Sequence, residues 1–416
     1  MAQEASSGLG HDLNGIRHLV VVHAEGCAWK SHAGLADAGT VCRQYHLERD
    51  DEDRRTAWAE YAVALSSAGF RVSSDRSPTE VAEELGAGRL ADLTVLDADA
   101  SGTAVVLAAW QSSPPPGGLL VLVLGGGDAL EVADGPRRLG PPGTLVLVSA
   151  WSPAGWSSEE VVDHTSLLQL CEHWTTARGR PVEAGIAPWR RALVGDLLGS
   201  LTWREVAPEL TEAGADGLIR PVPYFPVADL RVDDESVRLT LANLGPTATR
   251  SLPLTVDDGE VSHHVVPPSP LGDPSWLEVP VAVREGRYDV TVRGPQGFRR
   301  RYAGAFPSPA RCGCDHFAGG DPWFPDLLLT VGHTTTLPTF FWLTRRVGTR
   351  YGGERSERLL GPRRTATFRE QPAARTHGWY DVRVTTSADP TWVQEYSGHL
   401  HAGNRPSVAA PTPSSG

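Results

Sequence analysis

Four adjacent residues, Asp163-His164-Thr165-Ser166, bring together an acid, a base and two hydroxyls, the parts from which nucleophilic catalysis is built. Neighbours in sequence do not generally assemble a triad, because a triad is defined by its geometry in space. The competing role for Asp163 or Thr165 is to cap the helix written in "SLLQLCEHW", whose apolar positions face a core. A second group, Cys312-Gly313-Cys314-Asp315-His316, carries soft metal ligands. Tetrahedral zinc needs four donors, and no second cluster follows. The surrounding "PSPARCGCDHFAGGDP" therefore reads as a Pro/Gly-rich linker. A third stretch, "LVLGGGDALEVADG" (122–135), runs from apolar residues into Gly125, Gly126, Gly127 and then Asp128. Such a turn can aim backbone N–H groups at an anion, but it lacks both the Lys-Ser/Thr ending of a P-loop and the full GxGxxG spacing. His263-His264 and His399-Leu400-His401 lie in strand-like surroundings and are assigned no role.

The elements that must position these groups change character along the chain. "IRHLVVV" (16–22), "GLLVLVL" (118–124) and "LVLV" (145–148) are apolar runs typical of buried strands. Between them "TAWAEYAVALSSAGF" carries apolar residues at helical spacing and stops at Gly69, while "PTEVAEELGAGRL" opens with the helix-entry residues Pro78 and Thr79. Buried strands alternating with helices indicate an α/β domain with a mainly parallel sheet. From residue 226, "ADLRVDDESVRLTLANLG" alternates apolar and polar positions as half-buried antiparallel strands do. An internal repeat follows. "GRYDVTVRGPQGFRRRYAG" (286–304) returns as "GWYDVRVTTSADPTWVQEYSG" (378–398), aligning Tyr288-Asp289-Val290 with Tyr380-Asp381-Val382 and Tyr302 and Gly304 with Tyr396 and Gly398. A period of this length is too long for a solenoid and fits a duplicated β-sandwich module. Tyr288 and Tyr380 are expected to be buried, each tying a sandwich corner to backbone through its hydroxyl.

Composition excludes several classes. Across 416 residues, 38 Lys and Arg stand against 50 Asp and Glu, and the net charge of −12 disfavours nucleic acid as a partner. No apolar run approaches the ~18 residues of a transmembrane helix, and the first residues lack a signal-peptide pattern, so the expected location is cytoplasmic. Five cysteines are too few and scattered for a disulfide framework. The 13 tryptophans are expected mainly in the core.

"SAWSPAGWSSEEVVDHTSLLQLCEHW" and "GIAPWRRALVGDLLGSLTW", within 149–203, resemble the bacterial phosphocholine-type phospholipase C family, relatives of an acid phosphatase with an alkaline-phosphatase-like α/β fold. "HLVVVHAEG" (18–26) is similar to the family's first strand and its Glu-Asn metal motif, and "LADAGTVCRQYH" (35–46) to its "LADAFTICDAYH" segment. "RYGGERSERLL", "HGWYDVRV" and "SGHLHAGNRPSV" resemble its two tandem C-terminal modules. The resemblance implies a metal ion, a Thr or Ser nucleophile and clustered carboxylates that cleave a phospholipid phosphoester. Glu25 matches the first metal ligand, but Gly26 stands where the family has Asn. The long segment that separates this motif from "LADAFTICDAYH" in the family is absent. Asp53 falls loosely at the nucleophile position. The family's "DENDGFFDH" metal loop falls on "LVLGGGDALEVADG", where the glycines take the first acidic positions, Asp128 keeps one carboxylate, and Val132-Ala133 replace the final Asp-His.

The expected architecture is therefore a truncated alkaline-phosphatase-like α/β domain (16–225) after a disordered start (1–15). Two β modules (226–306 and 323–405) follow, joined by a linker (307–322) and ending in a disordered tail (406–416). The loss of several parts of one mechanism points to a pseudoenzyme needing no cofactor, kept as a scaffold that binds a protein partner or a phospholipid-like ligand. The competing reading is a residual hydrolase with Glu25, Asp128, Asp163 and His164 around a divalent metal ion. In the first reading the strand ends open onto a shallow, water-filled depression lined by Gly125 to Gly127, with Glu25 and Asp128 at its edge.

Overall fold

A computed structural model of the chain describes residues 13–28, 40–46, 51–125, 133–134, 137–139, 142–152, 155–201, 218–244, 248–269, 275–315, 326–347, 353–400 and 407–408. It divides into two compact units, Met1–Glu131 with Leu139–Val222, and Pro223–Ala410 with Val132–Arg138. The expected disorder at 1–15 and 406–416 falls largely outside the described residues. Leu13, however, is buried, and Ser407–Val408 forms a short strand.

The first unit is mixed α/β. Its strands are β1 (His18–Ala28), β2 (Thr40–His46), β3 (Val72–Ser73), β4 (Leu93–Ala98), β5 (Gly118–Gly125), β6 (Pro142–Ser149), β7 (Trp156–Ser158), β8 (Val162–Asp163) and β9 (Leu218–Ile219). They lie in the order β9-β7-β2-β6-β5-β1-β4-β3, with β8 beside β2. Every pairing is parallel except those of β6, which runs antiparallel to both β2 and β5. Leu119 to Leu124 are all buried, since a sheet covered on both faces reads as a continuous apolar run.

Helices α1 (Asp51–Ser67), α2 (Pro78–Gly86), α3 (Ala100–Ser112), α4 (His164–Ala177) and α5 (Pro188–Leu193) belong to this unit. The sequence start of α2 is confirmed and refined: Ser77 caps it, accepting from Glu80 N while Glu80 accepts from Ser77 N. This reciprocal capping box satisfies two orphan donors. One core cluster packs α1 and α4 residues (Trp58, Leu65, Leu167, Trp174) against Leu19, Val21, Val121 and Leu147. A second packs α2 and α3 residues (Val81, Leu85, Trp110) against Val20, Val22 and Leu122 on the other sheet face. Alternate residues of one strand thus serve opposite layers.

The second unit contains the duplication. Its first module has β10 (Pro226–Val232), β11 (Val237–Leu244), β12 (Leu252–Asp257), β13 (Val261–Val266), β14 (Leu277–Pro280), β15 (Arg287–Arg293) and β16 (Arg299–Ala305). Its second has β17 (Ala310–Asp315), β18 (Leu327–His333), β19 (Thr339–Arg345), β20 (Arg355–Leu360), β21 (Thr365–Glu370), β22 (Trp379–Thr386) and β23 (Val393–His399). The sheet β10-β11-β14, extended by the short strand Pro268–Ser269, has its counterpart in β17-β18-β21. The orders β13-β12-β15-β16 and β20-β19-β22-β23 also match, and β16 pairs antiparallel with β23 to fuse these halves into one eight-stranded sheet.

The equivalence extends to single bonds. The Tyr302 hydroxyl donates to Ala228 O across the first sandwich, and the Tyr396 hydroxyl to Cys312 O across the second. Tyr288 and Tyr380 are buried as expected, and their hydroxyls lie 2.9 Å from where a Cβ would stand on Gly304 and on Gly398. The backbone tie is not theirs, however. Tyr380 accepts from the buried Arg300, whereas the Tyr288 hydroxyl lies near Ser308 and Trp392 without a hydrogen bond of good geometry among the described residues. The linker reading of 307–322 is corrected, because Ala310–Asp315 is strand β17, paired with β18 from Ala310↔His333 to Asp315↔Leu328. Pro and Gly density misled there, since pairing with a distant strand outweighs local turn propensity.

Candidate functional site

Open α/β sheets place ligands beyond the carboxyl ends of their parallel strands. In the first unit that edge collects β1, β4 and β8. In the middle of β1, His23 sits directly beside Asp97, the penultimate residue of β4, in the sheet register. Asp97 binds two arginines from the start of α1, Arg54 at 3.1 Å and Arg55 at 3.2 Å. Arg54 is buried with 8% of its side chain exposed, whereas Arg55 reaches solvent. Burial, and then the charges of Arg54, His164 and Arg55, hold the His23 imidazole well below its ordinary pKa of 6.5. It is a neutral base at physiological pH, and its Nε2 has no hydrogen-bond partner among the described residues. The sequence reading missed His23, Arg54, Arg55 and Asp97. The available signal was a polar residue inside each of two apolar strands, His23 in β1 and Asp97 in β4.

His164 is the first residue of α4 and is buried at the same edge. Asp163 caps that helix. Its Oδ1 accepts from Thr165 N at 2.8 Å and from the Thr165 hydroxyl at 2.6 Å, and its Oδ2 accepts from Arg190 at 2.9 Å. Asp163 N donates to the Ser166 hydroxyl, completing a capping box. The carboxylate is 1% exposed. Asp163 thus caps α4, and the two hydroxyls that accompany it in the sequence both hydrogen-bond at the helix start. Beside it lies a cleft of about 410 Å³ bounded by Glu60, Tyr61, His164, Glu183 and Arg190.

The remaining sequence candidates lie on other elements or outside the described residues. Glu25 lies on β1 and Asp53 in the first turn of α1, a helical setting for the residue loosely matched to a nucleophile. Gly125, partly exposed, ends β5, while Gly126, Gly127 and Asp128 fall outside the described residues. Among the described residues, no three His, Cys, Asp or Glu side chains are grouped to hold a metal ion. The thiols of Cys42 and Cys171 are buried in the core, and burial pushes Cys42 up to about 12 and Cys171 higher still. Neither is a thiolate at neutral pH, so neither is a nucleophile or soft ligand as folded.

Residues 218–305, spanning β9 and the whole first β module, match the family model described as "Bacterial phospholipase C, C-terminal domain". The hemolytic phospholipase C of Pseudomonas aeruginosa is 28% identical over 348 residues, covering 68% of this chain and 46% of that protein. The non-hemolytic phospholipase C of Burkholderia pseudomallei is 26% identical over 323 residues, covering 68% and 45%. This chain is related to the bacterial phospholipases C. It spans about half the length of the curated relatives it matches. No helix among the described residues is long and apolar enough to cross a membrane.

Proposed function

We propose that this chain is a non-catalytic relative of the bacterial phospholipases C. Its α/β unit, a shortened alkaline-phosphatase-like core, serves as a scaffold, and its two β modules make contacts with a protein partner or a phospholipid-like ligand. The observation that carries the reading is the engagement of Asp163: three hydrogen bonds occupy a fully buried carboxylate at the start of α4. A carboxylate so committed has little capacity left for a metal ion. Gly125 at the end of β5, where the resemblance sets an acidic ligand, supports the same conclusion.

The test is hydrolysis of phosphatidylcholine and of p-nitrophenyl phosphocholine by the purified full chain, alone and with Ca²⁺, Mg²⁺, Mn²⁺ or Zn²⁺. Turnover no greater than that of a buffer blank is expected. A second reading, a residual metal-dependent phosphoesterase using Glu25, Asp128, Asp163 and His164, draws on one observation: His23 and His164 are buried close enough to interact, next to two arginines, at the strand ends. Metal-dependent turnover that disappears in Glu25→Ala establishes the second reading and sinks the first.

A further inference from the structure

A cleft of about 420 Å³ opens in the second unit where the two β modules meet. Its lining includes four arginines, Arg284, Arg287, Arg301 and Arg383, against two aspartates, Asp258 and Asp289. This local excess of positive charge stands in a chain whose net charge is −12. The aspartates are already occupied. Asp289 holds Arg301 through both carboxylate oxygens at 3.0 and 2.8 Å, and Asp258 accepts from Ala282 N at 2.8 Å. Two acids border the cleft and are also engaged. Asp389 accepts from Ala305 N and from Thr391 N and Oγ1, and Glu395 takes Arg299 and Arg346, with Arg383 only at 3.9 Å. The guanidinium groups of Arg284 and Arg287 make no direct hydrogen bond or ion pair of their own among the described residues; the charge of Arg287 reaches Asp389 only as a weaker contribution beside that carboxylate's hydrogen bonds.

The backbone that carries both arginines is fixed in place. They flank a two-residue turn, Glu285-Gly286, with φ of 52° and 70°, closed by reciprocal bonds between Arg284 and Arg287 at 2.9 and 3.0 Å. Left-handed φ at both central residues marks a type I′ hairpin turn. The Arg284 guanidinium lies over Gly259, within 1.8 Å of where a Cβ would stand, so only glycine leaves it room.

The duplication supplies an internal comparison. In the second module Trp379 stands at the place of Arg287, and the matching cleft, beside Tyr380 and Asp381, shrinks to about 50 Å³. Two arginines line it and both are paired: Arg345 is held by Glu370, and Arg375 lies 3.7 Å from Glu354. The same framework is thus filled and neutralised in one copy, open and cationic in the other.

We infer that the cleft around Arg284 and Arg287 binds a small oxyanion, a phosphate group with two negative charges, through paired guanidinium forks. Such a group could come from a soluble phosphate or from the headgroup of a phosphomonoester lipid. The inference is independent of whether the α/β unit hydrolyses anything.

The experiment has two arms on the full chain: calorimetric titration with inorganic phosphate, and co-sedimentation with phosphatidylcholine vesicles with or without phosphatidic acid. The variants are Arg284→Gln, Arg287→Gln and, as control, Arg89→Gln, an exposed arginine of the other unit; unchanged thermal midpoints verify folding. Saturable binding is expected in at least one arm, weakened roughly tenfold or more by R284Q and R287Q and unaffected by R89Q. Binding of phosphate alone identifies a soluble ligand, and binding only of vesicles containing phosphatidic acid identifies a lipid headgroup. No saturable binding in either arm, or equal binding by all variants, overturns the inference.

Discussion

If Asp163 is a structural carboxylate, its removal must cost stability of a calculable size. Asp163→Ala deletes an N-cap, worth about 1 kcal/mol. It also leaves Arg190 without its buried partner. Breaking a fully buried pair costs about 3–5 kcal/mol, but the Arg190 side chain keeps 15% exposure and can reach water, so the lower end applies. The expected total is about 3–4 kcal/mol. Asp163→Asn retains an acceptor for Thr165 N and loses only the charge, so it should cost about 1–2 kcal/mol. With two compact units in one chain, a global transition would mix their stabilities. The assay is therefore amide hydrogen exchange of α4 and its sheet neighbours, read as a local opening free energy. A cycle with Arg190→Ala should return a coupling of about 1–3 kcal/mol. Asp163→Ala within about 0.5 kcal/mol of the parent, or a coupling near zero, would refute the reasoning and leave the carboxylate available for metal chemistry.

Burial of Asp229 raises its pKa from 3.8 to about 6, so the folded chain holds a proton there that the unfolded chain releases between those values. Its contribution is fully present below about pH 4 and lost as pH rises through about 6; Asp229→Asn should stabilise the second unit by about 1–2 kcal/mol at pH 8 and by little at pH 4 in urea unfolding, less than the ~3 kcal/mol of the full shift because the side chain is partly exposed. An equal effect at both pH values would sink that assignment. Tyr288→Phe removes a hydroxyl that makes no well-formed hydrogen bond and should be near neutral, whereas Tyr380→Phe takes an acceptor from buried Arg300 and should cost about 1–3 kcal/mol, so equal thermal shifts would contradict the asymmetry. Native-state thiol labelling at pH 8, read by mass spectrometry, should modify Cys314 well before the core thiols Cys42 and Cys171; prompt labelling of either core thiol would contradict their burial.

What the sequence determined by itself was local or repeated. The apolar runs became β1, β5 and β6 because a strand buried on both faces must be apolar throughout. Pro78 opened α2, Asp163 capped α4, and Tyr288/Tyr380 and Tyr302/Tyr396 revealed the duplication, since capping and repetition are written in neighbouring or aligned residues. Tertiary structure alone decided the rest. A Pro/Gly-rich segment became β17 because β18 offered it a complete ladder. The edge strands β16 and β23 joined two modules into one sheet, leaving an open arginine cleft on one side of the duplication and a smaller one, lined by Trp379 and paired charges, on the other. His23 looked like one more residue of an apolar run until β4 brought Asp97 beside it and α1 brought Arg54, 31 positions away, against both. Burial and charge at a site are sums over residues distant in sequence, and only the folded chain performs that sum.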